Sequence, residues 1–247
     1  MTESALATRV TVDLTVSRRQ VLMCAWCGAL LIVLIGGGLL LAGLWPPPRA
    51  SASAEEIKAF YAGSPLRIRA GLALMMAGMG LIMPWGASIA AMTSRIRDSS
   101  SSMTFVQVAA FGVATIIGVS SVICWGVASF RPDEVSAELT RGFSDLGWFF
   151  FVFDWSPLAV WYLAVAVAIF GDRSPFPVFP RWSAYLSLWV TTLSAPGGLM
   201  IFFKTGPLAF NGLFAIWIPL GVFFVWIIVM TALVIQAVNR QTEPAAA

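Results

Sequence analysis

The chain has 247 residues, of which 59% are hydrophobic and 11% are charged, and its formal net charge is +3. Soluble domains are about one quarter charged, so the composition excludes an ordinary soluble protein, and the small dispersed charge excludes a basic nucleic-acid-binding surface. The sequence contains no histidine, which excludes imidazole-ligated haem, copper and di-iron sites and a Ser-His-Asp triad.

Six long apolar runs predict an all-α integral membrane protein, a bundle of six transmembrane helices of which several are kinked by proline. A helix needs about 20 mostly apolar residues to cross a bilayer, and the runs lack the alternation of outer-membrane strands. The predicted spans are 21–44, 70–92, 105–130, 143–170, 184–203 and 208–237. They form one membrane domain, 21–237, between an N-terminal leader at 1–20 and a flexible C-terminal tail at 238–247.

The first span begins after Arg18 and Arg19, and the segment 17–22 resembles a twin-arginine signal with a possible cleavage site at 50–52. Its apolar run of about 24 residues is longer than a signal core of about 7–15 residues, so we expect a retained helix. Cys24 and Cys27 lie inside this run, where packing as small apolar side chains is expected rather than redox chemistry.

The segment after the first span predicts a sharp end followed by a short helix. Pro46, Pro47 and Pro48 end the first helix, because proline cannot continue it. The segment 53–61 then predicts a short interfacial helix with Ser53 as its N-terminal cap.

Four spans contain an interior proline, which removes a backbone hydrogen bond and kinks a helix. These are Pro84, Pro157, Pro196 and Pro219. Plain kinks are the common outcome in membrane helices, because neighbouring helices satisfy the freed groups. The alternative is a cavity where the kinked helices diverge, as in transporters with broken helices.

Asp154 is the most informative ionisable residue, because it lies about eleven residues into the fourth predicted span. A charge near the bilayer centre costs at least about 2.5–3.5 kcal/mol, so such residues are usually paired and functional. The alternative is that Asp154 is protonated, because burial raises the pKa of a carboxyl group. Asp145 is predicted in the first turn of the same helix, where the helix dipole favours a negative charge. The spacing places the two carboxyls on opposite sides, so they cannot share a proton.

Basic residues next to the first span favour a topology with both termini in the cytoplasm of a bacterial inner membrane. Polar residues then gather at the outer ends of several spans, namely Arg67, Arg69, Asp145, Lys204 and Asn211. Snorkelling cations and a capping aspartate are the ordinary explanation of these residues. The functional hypothesis is an ion-paired outer mouth that leads to Asp154, in which Asp145 pairs with Arg67 or Arg69.

The segments 177–182 and 202–207, together with Asn211-Gly212, resemble an uncharacterised family of multi-pass membrane proteins of actinobacteria and proteobacteria. The resemblance covers the membrane region and implies no activity, substrate or catalytic residue. The six-helix subunits of copper membrane monooxygenases are similar in size, but they use histidine ligands.

Three functional hypotheses follow. The first is non-enzymatic binding or transport of a small apolar or amphipathic molecule, and the second is an accessory subunit in a complex with another membrane protein. The third is an enzyme, for which the sequence offers no assembled nucleophile, base, metal site or cofactor site. The bilayer is the one partner that composition requires.

Overall fold

The computed structural model describes residues 17–96 and 101–240. Within these residues it contains six helical segments that are long and apolar enough to cross a membrane, and no strand. The segments are Arg18–Ala42, Pro65–Thr93, Ser101–Phe130, Ala137–Gly171, Trp182–Phe202 and Leu213–Arg240. The predicted all-α, six-helix membrane fold is therefore confirmed.

The helices of the described residues are α1 (Arg18–Ala42), α2 (Ala54–Gly63), α3 (Pro65–Gly80), α4 (Ile82–Thr93), α5 (Ser101–Phe130), α6 (Ala137–Val152), α7 (Trp155–Gly171), α8 (Trp182–Ser194) and α9 (Ile218–Arg240). A 3-10 segment, Ala195–Phe202, continues α8, and a π-helical segment, Leu213–Trp217, precedes α9. The second span thus consists of α3 and α4, and the fourth of α6 and α7.

Both ends of the described chain lie at one end of the bundle, which we call the terminal end. Arg18 at the start of α1 donates a hydrogen bond from Nη2 to Oδ1 of Asn239, near the end of α9, over 3.0 Å. Most of the predicted leader and tail lies outside the described residues. Helix α1 begins at Arg18, before the predicted boundary at 21, and α9 continues to Arg240.

The sixth span begins later than predicted, at Leu213 rather than at 208. Turns occupy the intervening segment, because local backbone hydrogen bonds close it: Gly212 N–H donates to Ala209 O over 2.7 Å and Phe214 N–H donates to Pro207 O over 2.9 Å. The segment is apolar enough to extend a span, but Gly206 adopts a left-handed φ of 83° that breaks regular helix.

Helix α2 confirms the predicted short helix capped by Ser53. The Ser53 hydroxyl accepts from Glu56 N–H over 3.1 Å, and the Glu56 carboxylate accepts from Ser53 N–H over 2.8 Å. Tyr61 in α2 donates to the Ser144 hydroxyl in α6 over 3.3 Å. Burial raises the pKa of Tyr61 far above its ordinary value, so the phenol remains a neutral donor that holds α2 on α6.

Glycines allow α1 and α3 to pack closely. A methyl group on Gly71 would lie 2.5 Å from the backbone oxygen of Gly38 and 2.5 Å from the backbone nitrogen of Ala42. Neither backbone atom can move away without moving its helix. Small residues at such crossings allow membrane helices to approach closely, and packing of this kind stabilises them in lipid.

The six spans form a ring in chain order, with α4 turned into its centre. Around the ring, α1 contacts α3, α3 contacts α5, α5 contacts α6 and α7, α7 contacts α8, α8 contacts α9, and α9 closes the ring on α1. Helix α4 contacts four members of the ring, α1, α5, α7 and α9. It therefore fills the centre in the half of the bundle nearer the terminal end.

Three tryptophans pack around α4 in this half of the bundle. The rings of Trp85, Trp161 and Trp226 meet edge to face, with centroids 5.2–5.4 Å apart. Trp85 donates to the Thr231 hydroxyl over 2.9 Å, and Trp226 donates to the Ser187 hydroxyl over 3.0 Å. These hydrogen bonds link α4 to α9 and α9 to α8.

Candidate functional site

Regular α-helix breaks just before each of the four interior prolines. Helix α4 starts two residues before Pro84, α7 starts two residues before Pro157, the 3-10 segment starts one residue before Pro196, and α9 starts one residue before Pro219. Proline fits the first turn of a helix, where its missing N–H costs nothing, but it clashes with the carbonyl four residues earlier. The predicted proline kinks are confirmed, and each is a change of helix rather than a gentle bend.

All four breaks line one cavity of about 90 Å3 in the middle of the bundle. The residues that the breaks contribute are Ile82, Asp154, Ser194, Ala215, Ile216 and Pro219. The cavity lies where α4 begins, so the centre of the ring is filled on one side of Ile82 and left open on the other. This arrangement corresponds to the predicted alternative in which kinked helices diverge around a cavity.

Asp154 lies at the break of the fourth span and lines the cavity. It occupies the position before the first residue of α7, but its side chain does not cap that helix. Its Oδ1 atom is buried and has no hydrogen-bond partner. Asp154 also belongs to neither of the ion pairs found among residues 17–96 and 101–240, so its carboxyl is available to a ligand.

Tyr162 is a second polar side chain at this cavity, two turns further along α7. It is fully buried, and its hydroxyl also lacks a hydrogen-bond partner. Its ring packs on Trp226 with a centroid distance of 4.7 Å, so Tyr162 connects the tryptophan cluster to the cavity. A buried polar group without a partner costs about 1–3 kcal/mol, and the cavity contains two such groups.

Apart from Ser194, the remaining lining is apolar and rich in aromatic rings. Phe150, Phe151, Trp155, Phe223 and Phe224 surround the two polar side chains. The described lining includes no lysine or arginine, and the described residues contain no group of three or more Cys, Asp or Glu side chains suited to a metal ion. The site therefore combines an apolar, aromatic wall with three polar residues, Asp154, Tyr162 and Ser194.

The structure does not form the predicted ion pair between Asp145 and Arg67 or Arg69. The described residues contain two ion pairs, Arg49–Glu56 and Arg131–Glu134. The Arg69 guanidinium instead donates to the carbonyl oxygens of Ser129 and Phe130 at the end of α5, with a shortest distance of 2.7 Å. The orphan carbonyls at a helix end attract such a cation, and this competes with a pair to Asp145.

The other predicted mouth residues have separate surroundings. Asn211 lies in the turns before the sixth span, where its Oδ1 accepts from Ala50 N–H over 3.3 Å, and Lys204 is exposed in the same turns. Asp145 is half-buried well inside α6, which begins at Ala137 rather than at 143. No hydrogen bond or ion pair within the described chain joins Arg67, Arg69, Asp145, Lys204 and Asn211 to one another or to Asp154.

Sequence reasoning identified Asp154 but missed Tyr162 and Ser194. Tyr162 follows Asp154 by eight residues, which is about two turns of helix and so places both near one side of the span. The feature of the sequence that could have indicated Tyr162 as a site residue is a polar phenol within an otherwise apolar run. Ser194 precedes Pro196, and hydroxyl residues are too common in membrane helices for this position to have been distinctive.

The cysteines of α1 take no part in this site. Cys24 and Cys27 are both free thiols, and Cys27 Sγ donates to the backbone oxygen of Met23 over 3.4 Å. Bonding to the preceding turn is ordinary for a small side chain inside a helix.

No protein-family model matches the sequence, and neither a curated protein nor a solved structure matches it.

Proposed function

We propose that this multi-pass membrane protein binds a small apolar or amphipathic molecule in the central cavity, for storage, sensing or transport across the membrane. The observation that carries the proposal is the pair of unpartnered polar atoms, Asp154 Oδ1 and the Tyr162 hydroxyl, in a cavity whose other lining residues are apolar except for Ser194. Small-molecule sites have this composition, with mainly apolar walls and a few polar groups that orient the ligand.

The helix breaks support the same proposal. Broken helices near the middle of a membrane are characteristic of transporter binding sites, where irregular backbone faces a cavity rather than lipid. Here four spans break at the level of one cavity, and Asp154 lies at one of the breaks. If the breaks served only to fit each helix against its neighbours, the four breaks would not need to line the same cavity.

The cavity volume sets the size of the bound group. An enclosed apolar cavity of about 150 Å3 holds benzene, and a site of about 90 Å3 holds less. The ligand is thus either a molecule of a few heavy atoms or a longer amphipathic molecule that inserts one end.

Gentle extraction followed by mass spectrometry of bound small molecules tests the proposal. The wild-type protein should retain one enriched compound, and Asp154→Asn should lose most of it. Asp145→Asn is the matched control, because it removes a carboxyl from the same span that does not line the cavity. Equal retention by all three proteins would contradict the proposal. A second polypeptide in fixed ratio, with no small molecule, would instead support an accessory-subunit role.

We further propose that both chain ends face the cytoplasm of a bacterial inner membrane. Arg18 and Arg19 begin the first span, and basic residues at that position usually set the orientation. The hydrogen bond between Arg18 and Asn239 supports a shared side for the two ends. A C-terminal green fluorescent protein fusion should fluoresce, and a C-terminal alkaline phosphatase fusion should be inactive. The reverse pattern would contradict this orientation.

A further inference from the structure

We propose that the cavity selects an organic ammonium ion, a small amine with an apolar body whose N–H group donates to Asp154 Oδ1. This inference rests on the proposed binding function and specifies the chemical class of its ligand. Its basis is the juxtaposition, in one cavity, of an unpartnered carboxyl, an unpartnered phenol and a wall of aromatic rings.

The charged groups that line the cavity favour a cationic ligand. Ionised carboxylates within a membrane are usually paired, because an isolated charge there is expensive. No lysine or arginine lines the cavity among the described residues, and Asp154 takes part in no ion pair there. An ammonium ligand would supply the missing positive charge and donate to the unpartnered Oδ1 atom.

The aromatic wall of the cavity also favours an ammonium ion with an apolar body. A cation is attracted to the face of a tryptophan, tyrosine or phenylalanine ring, and the attraction is stronger where water is excluded. Six such side chains line the cavity, namely Phe150, Phe151, Trp155, Tyr162, Phe223 and Phe224. The same rings bury the hydrocarbon part of an amine, so the wall suits both parts of the ligand.

The break between α6 and α7 also favours a cation beside Asp154. Helix α6 ends at Val152, which lines the cavity, so the partial negative charge of its C-terminal carbonyls lies near the ligand. Asp154 immediately precedes Trp155, the first residue of α7, so the positive end of α7 would favour the carboxylate form once an ammonium ligand is bound, although the side chain does not cap the helix. A cation beside Asp154 is thus favoured by the carboxylate and by the end of α6.

Other ligand classes fit the cavity less well. A metal cation needs several oxygen ligands, and no cluster of three carboxylate or thiol side chains exists in the described chain. An anion would meet one carboxylate and no cation. A purely apolar ligand would leave both the carboxyl and the phenol without partners, at the cost that buried polar groups incur.

The test compares two probes of nearly the same shape, isobutylammonium chloride and isobutanol, by calorimetry on the full-length protein in lipid nanodiscs. Wild type should bind the ammonium at least about tenfold more tightly than the alcohol, because about 1.4 kcal/mol of charge interaction gives that factor. Asp154→Asn should abolish this preference, and Tyr162→Phe should weaken ammonium binding several-fold. The control Asp145→Asn should behave as wild type.

The outcomes separate this inference from the function on which it rests. Equal affinities of wild type for the two probes would overturn the ammonium inference and leave small-molecule binding intact. No binding of either probe at millimolar concentration would count against both. An Asp154→Asn protein that folds and keeps the full preference would also overturn the inference. If that variant does not fold, the wild-type ratio decides alone.

Discussion

Buried polar side chains in this bundle are of three kinds: those with hydrogen-bond partners, the unpartnered indole N–H groups of Trp148 and Trp161, which do not line the cavity, and the unpartnered groups that do line it. The tryptophans at 85 and 226 have hydroxyl acceptors on neighbouring helices, so their hydrogen bonds help to hold α4, α8 and α9 together. Asp154 and Tyr162 line the cavity and have unpartnered atoms. Since an unpaired buried group opposes folding, we attribute the unpartnered groups that line the cavity to the proposed ligand, and the hydrogen-bonded groups to the fold.

This distinction predicts opposite effects of two conservative substitutions on the ligand-free protein. Thr231→Val removes the acceptor of Trp85 and should lower the free energy of unfolding by about 1 kcal/mol, the scale of hydrogen bonds between membrane helices. Tyr162→Phe removes an unpartnered hydroxyl and should leave stability unchanged or raise it. Thermal unfolding in detergent measures both. Equal destabilisation by the two variants would mean that the Tyr162 hydroxyl has a partner.

Asp172 offers a pH-dependent prediction at the end of α7. Burial by itself would raise the pKa of Asp172, but hydrogen bonds from the Ser174 hydroxyl and from the N–H groups of Val178 and Ser174, at 2.7, 2.8 and 3.0 Å, lower it below the ordinary value. A lowered pKa in the folded state means that the carboxylate stabilises the fold at neutral pH. This contribution is lost as the pH falls through the folded-state pKa.

The corresponding variant is Asp172→Ala. Its free energy of unfolding at pH 7 should be about 2 kcal/mol below that of wild type, because charged hydrogen bonds of this kind are lost. The gap should narrow as the pH is lowered toward 3, as measured by chemical unfolding in detergent. A gap that is constant from pH 7 to pH 3 would show that the carboxylate charge does not hold the loop.

At the level of elements, the sequence predicted the helices and the breaks more reliably than the contacts between them. Proline in the interior of a helix removes a backbone hydrogen bond and clashes with the preceding turn, so the kinks could be predicted from four residues alone. The pairing of Asp145 with Arg67 or Arg69 depended on the rotation of two helices, α6 and α3, about their axes. Neighbouring helices set that rotation, and in the structure Arg69 binds the end of α5 instead.

The crossing of α1 and α3 gives a prediction that depends on a single methyl group. Gly71→Ala would place a carbon 2.5 Å from backbone atoms of α1, and overpacking of this kind costs about 1–3 kcal/mol. Gly80→Ala is the matched control in the same helix, because a methyl group there has no neighbour within 4 Å. The midpoint of thermal unfolding should fall for the first variant and stay or rise for the second. Equal midpoints would mean that α1 and α3 are not in close contact.

At the scale of the whole molecule, the sequence allowed two interpretations of the prolines, plain kinks or kinked helices that diverge around a cavity, and it could not decide between them. The sequence shows four prolines and a central aspartate, but not whether the breaks face one another. Whether the breaks face one another depends on the position of α4, which turns into the ring after Leu81 and contacts α1, α5, α7 and α9. This position is a property of the assembled bundle. Tyr162 became recognisable as a site residue for the same reason, because its burial and lack of a partner are visible only in the fold.

We propose that the central cavity holds a small molecule, so a side chain that fills the cavity should exclude that molecule. Ala114 lies on α5, is buried and lines the cavity, so a leucine there would occupy ligand space. Gly112 lies about one half-turn earlier on the same helix and does not line the cavity, and a Cβ atom there has no neighbour within 4 Å, so Gly112→Leu is the matched control.

The decisive measurement is the amount of enriched small molecule that co-purifies with each protein, determined by mass spectrometry after gentle extraction. We predict that wild type and Gly112→Leu retain the same compound in similar amounts, and that Ala114→Leu folds normally but retains less than about one tenth as much. Equal retention by Ala114→Leu and Gly112→Leu would contradict the proposed binding site, because the compound would then be bound outside the cavity.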